Sequence, residues 1–303
     1  MNVAVIDLGS NTFHLLIVEV SPDDTFKEVY RNRVFTGLCE GGIDHLKENS
    51  IDYGLETCKV FKAKMNEFNV IHSLITGTAA LRSSKNKSSF IIPAEEIFNQ
   101  NIDIIDGQEE AELIFKGIRQ LHPMNEPTLI IDIGGGSTEF IIVKDGNIRW
   151  KNSYKLGVGV MYALFHHTEP IKKEDENGLR NHINLVLSEL KIELEKINIE
   201  SLIGASGSFE VLESMTGLIT HYNMPNKIGV SKTEDIIGKI LKANYEERLV
   251  MDGLPEERVK YIVVAMILID EILKMANPKE IIVSPFALKE GLIIKLIEKL
   301  NSL

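Results

Sequence analysis

IDIGGGSTEFIIV, Ile131 to Val143, sets three consecutive glycines, a serine and a threonine between two apolar runs that both read as strand. The chain re-enters strand after the turn instead of opening a helix. That excludes the P-loop and the Rossmann fingerprint, which both need a helix at this point and a different glycine spacing. Glycine tolerates φ > 0 and lacks the Cβ that would block a ligand. Successive amides of Gly134, Gly135, Gly136, Ser137 and Thr138 can therefore face one concavity, and the hydroxyls of Ser137 and Thr138 add donors for anion oxygens. Asp132 ends its strand beside that concavity. A carboxylate repels a bound anion unless a cation lies between them, and Mg²⁺ suits this arrangement because it takes one or two carboxylates with water and phosphate oxygens. Glu139, just after the turn, reads either as a ligand for a metal-bound water or second magnesium, or as the partner of a nearby base. The competing reading is a hairpin that merely needs tight glycines.

The pattern has an echo. IDLGSNTFHLLIVEV, Ile6 to Val20, repeats Ile-Asp-x-Gly and a later Ile-Val at the same offset, so Asp7 with Ser10, Asn11 and Thr12 repeats the logic of Asp132 and its turn. Two domains of one ancestral type explain this most economically. GASGS is a further instance, in which Gly204, Ser206, Gly207 and Ser208 stand where a strand gives way to a helix whose first amides favour an anion.

Outward from these turns, the first half reads β-β-β-α-β-α-β-α, with GQEEAELIFKGIRQL as a helix opening on Glu109 and Glu110. LHPMNEPT supplies the boundary, giving domains 1–124 and 125–303, with the final helix (about 287–303) expected to pack back on the first. The second half predicts a hairpin turn at Asp145-Gly146-Asn147, an amphipathic segment from Lys173 to Ile197, and an apolar helix whose Tyr261–Met275 stretch reads as core or as the surface of a homodimer.

The bulk composition sets limits. With 33 Lys and Arg against 44 Asp and Glu, the net charge of -11 argues against nonspecific nucleic-acid binding, although it leaves open a local anion site. No basic leader and no apolar run of membrane-spanning length is present, so the expected location is the cytoplasm with no membrane partner. Cys39 and Cys58 fit no metal spacing and read as packing residues; His166 and His167, being adjacent, do not share a face and read as ordinary histidines.

Together, DLGSNTFHLLI, TGTAALR, DGQEEAELIF, IDIGGGSTEF, GASGS and ALKEGLI make the chain resemble the exopolyphosphatase/guanosine pentaphosphate phosphatase family over essentially its whole length. The resemblance implies an α/β architecture of two ribonuclease-H-like domains, of the actin, sugar kinase and chaperone ATPase superfamily, with an interdomain active-site cleft. It also implies Mg²⁺-dependent removal of a terminal phosphate from polyphosphate, guanosine pentaphosphate or both. By the same resemblance Glu110 is the catalytic residue that polarises water, and Arg82 contacts phosphate. Ser208 replaces the family's usual threonine and Lys289 its frequent arginine; both keep the donor or the charge. The chain has no His-Asp dipeptide and is expected to be the short form, without the helical domain that many relatives add.

The residues alone support this chemistry without singling it out. Phosphoanhydride hydrolysis needs in-line water, charge neutralisation and a carboxylate to orient the water. Glu110 in a first helical turn has the dipole favouring its charged form, yet acidic residues stand there for the dipole alone. A phosphotransferase or ATPase of the same superfamily would turn over ATP faster than polyphosphate. A nonhydrolysing alarmone sensor would bind guanosine tetraphosphate and release nothing.

Overall fold

The structure, a computed structural model, describes residues 1–40, 42–218 and 224–302. The chain opens with β1 (Asn2–Leu8), β2 (Thr12–Val20), β3 (Phe26–Phe35), α1 (Glu48–Glu67), β4 (His72–Gly77), α2 (Ala79–Ser83), α3 (Ser88–Phe98), β5 (Asp103–Ile104) and α4 (Gly107–Ile118). It continues through β6 (Thr128–Ile133), β7 (Thr138–Lys144), β8 (Asn147–Tyr154), α5 (Val158–Phe165), α6 (Lys173–Val186), α7 (Ser188–Glu195), β9 (Ser201–Ala205) and α8 (Gly207–Met215). After β10 (Asn226–Ile228) come α9 (Val230–Lys242), α10 (Tyr245–Leu249), α11 (Glu256–Val259), α12 (Ile262–Ala276), β11 (Glu280–Val283) and α13 (Leu288–Asn301). Contacts divide the chain into one unit of Met1–Gly117 with Leu288–Leu303 and another of Ile118–Ala287.

The first unit holds a five-stranded sheet in the order β3-β2-β1-β4-β5, antiparallel across β1–β2–β3 and parallel from β1 to β5. Alternation along β1 and β2 sends Ala4, Ile6, Leu8, Phe13, Leu15 and Ile17 into a core shared with Phe61 of α1 and Phe90 of α3. Phe13 and Phe90 meet edge to face at 5.7 Å, and a Cβ on Gly54 would come within 2.8 Å of the Phe90 ring, so that glycine lets α1 approach α3. Cys39 and Cys58 are buried and free, their thiols pushed up by burial to about 11 and about 12, which suits packing residues. The opposite face of the sheet, which carries Asp7, receives α13 across β1 and β4. A groove of about 520 Å³ between α1 and α3 lies on the far side from Asp7 and takes no part in the candidate chemistry.

The second unit repeats the plan. Its six-stranded sheet runs β10-β11-β9-β6-β7-β8, so β8-β7-β6-β9-β11 matches β3-β2-β1-β4-β5 strand for strand and direction for direction, with β10 added antiparallel at the edge. Asp145 and Gly146 take φ of 54° and 66°, the left-handed pair that a tight β7–β8 hairpin requires. α12 is buried along nearly its whole length against α5, α6 and α9, which makes it the core of this unit. Arg180 of α6 ties down its end by donating to Asp270 and Glu271, and Asn184 adds a bond to Glu271 at 2.6 Å.

Two expected helices are divided. The Lys173–Ile197 segment breaks at Leu187, which puts Glu189 in the first turn of α7; there its carboxylate accepts from Trp150 Nε1 (3.3 Å), Asn152 Nδ2 (3.0 Å) and Tyr154 OH (3.3 Å) on β8. The apolar helix breaks before Ile262, where the Tyr261 ring meets Tyr162 edge to face at 5.2 Å and Lys260 lies over both rings. α9 and α10 fill a stretch to which the sequence pattern assigns nothing.

Buried histidines give the second unit an acid sensitivity. Burial holds His122 below the ordinary imidazole value, with Lys227 adding to it; His166 is lowered first by burial and further by Arg248, against the pull of Glu169. The folded chain thus binds fewer protons here than the unfolded chain, so stability present above the ordinary value of 6.5 is lost as pH falls below it. Melting followed by Trp150 fluorescence should show the midpoint falling between pH 7.5 and 5.5, and a His122→Gln/His166→Gln double variant should flatten the slope. A midpoint independent of pH in the unaltered chain would refute this.

Candidate functional site

In the first unit the residues singled out from the sequence converge on the C-terminal end of β1. Leu8 and Phe13 are register partners, so Gly9 to Thr12 forms the turn, and Asp7 stands directly across from His14 on β2 and Thr76 on β4. The turn is tight: a Cβ on Gly9 would lie 2.6 Å from the Thr12 carbonyl oxygen. Ser10 and Asn11 are buried, and their carbonyls accept from Cys39, Thr36 and Gly37 amides at 2.8–2.9 Å, which pins the turn to the loop after β3. The Ser10 hydroxyl accepts from the Ala80 amide at 3.1 Å, so it also seats the start of α2.

Arg82 lies on α2, its amide bonded to the Thr78 carbonyl at 2.8 Å. Its Nη1 donates to the Ile105 carbonyl at 2.7 Å and to Glu110 Oε2 at 3.0 Å. Glu110 is 6% exposed in the first turn of α4, while Asp106 caps that helix by accepting from the Gln108 and Glu109 amides at 2.9 and 2.8 Å. Glu109 turns away to Lys295 of α13 at 2.7 Å. α13 and α4 touch backbone to backbone, since a Cβ on Gly291 would fall 1.9 Å from the Leu113 carbonyl oxygen. His14, half-buried, is held well below its usual value by burial, with Lys289, Arg33 and Arg31 adding, so a neutral imidazole stands beside Asp7. Thr76 places a buried hydroxyl in the same row that has no hydrogen-bond partner among the described residues.

In the second unit the GGGST turn has the same construction. Ile133 pairs with Thr138, the Gly134 amide closes the turn on the Ser137 carbonyl at 2.9 Å, and a Cβ on Gly134 would lie 3.1 Å from that oxygen. Gly134 and Gly135 carbonyls accept from Val158 and Gly159 at 3.0 and 2.9 Å, which ties the turn to the start of α5. Gly157 packs against it so closely that a Cβ would stand 2.3 Å from Gly135 O and Gly136 N. One expectation is corrected: Thr138 is fully buried and its hydroxyl donates to the Leu156 carbonyl at 2.8 Å, so that hydroxyl seats the turn and is not a donor for an anion. Ser137 and Gly136 are buried in the turn, and Gly134 and Gly135 are partly exposed.

The GASGS turn lies alongside. Ala205 pairs in parallel with Asp132, and the Ser206 hydroxyl donates to the Ile133 carbonyl at 3.0 Å. Ser206 adopts φ 68° and ψ 178°, a region that is otherwise nearly glycine-only and whose strain recurs at ligand-holding segments. Gly204 admits the Phe209 ring, whose Cδ1 would be 2.0 Å from a Cβ there. Gly207 receives the Arg258 guanidinium, whose Nη2 would be 1.9 Å from a Cβ, so a cation stands beside the N-terminus of α8 near buried Ser208.

The carboxylates show what could hold a cation. Asp132 and Glu139 are direct cross-strand partners on β6 and β7, 9% and 2% exposed, and Glu139 Oε1 accepts from Ser153 at 2.7 Å. Opposed acids on one sheet face destabilise each other unless positive charge relieves them, so this donor set fits a hard divalent ion. Among the described residues no group of three or more His, Cys, Asp or Glu gathers as a metal cage. Mg²⁺ needs fewer protein ligands than such a cage supplies.

Asp106, Gly157 and Arg258 escape the sequence reading. Asp106 reads there as the end of a strand, although its capping of the Gln108 and Glu109 amides is local and an Asp ahead of an acidic first turn is an N-cap signal; Gly157 and Arg258 owe their places to contacts distant in sequence.

A repeated α/β sheet of this connectivity, with a glycine turn between its leading strands, is the ribonuclease-H-like fold of the actin and sugar kinase superfamily. The crystal structure of an exopolyphosphatase from Cytophaga hutchinsonii shares it with TM-score 0.93 at 33% identity, covering 99% of this chain and 98% of that one. A family model described as the Ppx/GppA phosphatase family matches residues 17–300, and the chain belongs to that family. A guanosine-5'-triphosphate,3'-diphosphate pyrophosphatase of Aliivibrio fischeri is 27% identical over 301 residues; the match takes in 98% of this chain and 60% of that protein's length. At 20% identity the Aquifex aeolicus family member repeats the fold, with TM-score 0.82. No helix among the described residues is long and apolar enough to cross a membrane.

Proposed function

We propose that the chain is a phosphohydrolase that removes the terminal phosphate of inorganic polyphosphate, of guanosine pentaphosphate, or of both. The observation that carries this reading is the connected series in the first unit, in which the Ser10 turn seats α2, α2 carries Arg82, and Arg82 holds buried Glu110 at 3.0 Å. A carboxylate held by a phosphate-type arginine suits the orientation of water toward phosphorus. The family and the relatives' names support the same chemistry.

In this reading Glu110 accepts a proton from water as its oxygen bonds to the terminal phosphorus. The bridging P–O bond breaks, and the shortened chain leaves with that oxygen's electrons. In the first unit Arg82 and the Ser10–Thr12 turn supply donors to phosphate oxygens; in the second the Gly134–Thr138 and Gly204–Ser208 turns do so, with Thr138 and Ser206, whose hydroxyls are committed to carbonyls, contributing through their backbone. Asp7 in the first unit, and Asp132 with Glu139 in the second, are the carboxylates that would serve as Mg²⁺ ligands, the ion neutralising phosphate charge when bound. The net charge of -11 argues against a nonspecific nucleic-acid partner, and the cytoplasm is the setting proposed.

Purified protein with Mg²⁺ should release orthophosphate from long-chain polyphosphate or from guanosine pentaphosphate, and excess EDTA should abolish the release until Mg²⁺ is restored. Folded protein that releases phosphate from neither substrate would exclude the assignment.

A further inference from the structure

We propose that Arg82 is a positioning residue for the base as well as a phosphate ligand, with one nitrogen of its guanidinium committed to Glu110 and the rest of the fork left for substrate. The inference rests on the function proposed above. Nη1 makes both internal bonds, at 2.7 Å to Ile105 O and 3.0 Å to Glu110 Oε2. Ile105 immediately precedes Asp106, the cap of α4, so a single nitrogen fixes both the entry of the helix that carries the base and the carboxylate itself. Nε and Nη2 make no hydrogen bond among the described residues, while the side chain keeps 25% of its surface open against 8% for Glu110.

The base is thus walled in on the side of Arg82, and the free edge of the guanidinium is what a ligand meets. A guanidinium is planar and its donors are fixed relative to one another, so a phosphate on Nε and Nη2 acquires a set orientation toward the carboxylate on Nη1. A lysine ammonium carries charge to the same place without that fork. Arg82 is itself anchored from behind by the Thr78 carbonyl and by the Ser10 hydroxyl at the start of α2.

The test is a double-mutant cycle on polyphosphate hydrolysis with Mg²⁺, using the unaltered chain, Arg82→Ala, Glu110→Gln and the pair, with Arg82→Lys as a second arginine variant should Arg82→Ala fail to fold. Arg82→Ala should lower kcat by about 10²-fold, the low end for a base no longer in place, and raise KM as well. In the Glu110→Gln background the same substitution should leave kcat nearly unchanged while KM still rises, because the part that acts through Glu110 has gone. Arg82→Lys should recover KM and not kcat. Additive losses in kcat, or full recovery of kcat by lysine, would overturn the positioning role while leaving Glu110 as base. A Glu110→Gln variant with unaltered kcat would instead overturn the base assignment and this inference with it.

Discussion

Glu110→Gln should reduce kcat by about 10²–10⁴-fold, the usual contribution of a positioned general base, with KM within a few-fold of the unaltered chain. The substitution keeps the size of the side chain, and its amide oxygen can still accept from Arg82 Nη1, which Glu110 meets at 3.0 Å. The α4 cap at Asp106 does not involve it, so the first turn should remain formed. What is lost is the capacity to take a proton from water. Substrate binding should persist and be measurable by calorimetry with polyphosphate. An equal kcat in the two proteins would place the base elsewhere, and a KM effect without a kcat effect would make Glu110 a binding group.

Gly157→Ala should be among the most damaging single methyls in the second unit. Its φ of -71° and ψ of 151° suit any residue, so backbone freedom is not what glycine supplies. Space is: the added Cβ would sit 2.3 Å from Gly135 O and Gly136 N, which are backbone atoms in the wall of the phosphate turn and cannot rotate aside. Relief requires α5 to move away and give up the bonds from Val158 and Gly159 to Gly134 and Gly135. The expected loss is about 3 kcal/mol of stability, the upper range of overpacking effects, together with weakened phosphate binding. Gly238→Ala is the matched control. It lies within α9 with nothing inside 4 Å of the added Cβ, and should stabilise by about 1 kcal/mol from helix propensity. Chemical denaturation followed by Trp150 fluorescence separates the two; equal stability of Gly157→Ala and the unaltered chain would refute the steric account.

Periodicity and turn chemistry made much of this legible. The Ile131–Val143 hairpin and its echo at Ile6–Val20 both appear with the expected turn, and Gly9 and Gly134 occupy equivalent positions in it. The helix carrying Glu110 was also readable, because an acidic first turn and an apolar stripe are local signals. What stayed hidden depends on tertiary contact. Arg82 and Glu110 are 28 residues apart and meet only once β4 and β5 have paired. The break at Leu187 has no glycine or proline to announce it and coincides with Glu189 being drawn to β8. Thr138 carries a hydroxyl that looks available until folding sets it against the Leu156 carbonyl.

α13 has a consequence for the order in which the chain matures. The sheet of the first unit begins at Asn2, yet the helix covering β1 and β4 is made from Leu288–Asn301, whereas the second unit is continuous from Ile118 to Ala287. As synthesis proceeds from the N-terminus, the later-made unit has all its residues while the earlier one still lacks a wall. The face of β1 that bears Asp7 therefore waits for Leu288–Asn301 to leave the ribosome, and a nascent chain stalled before Leu288 would leave that face open to water.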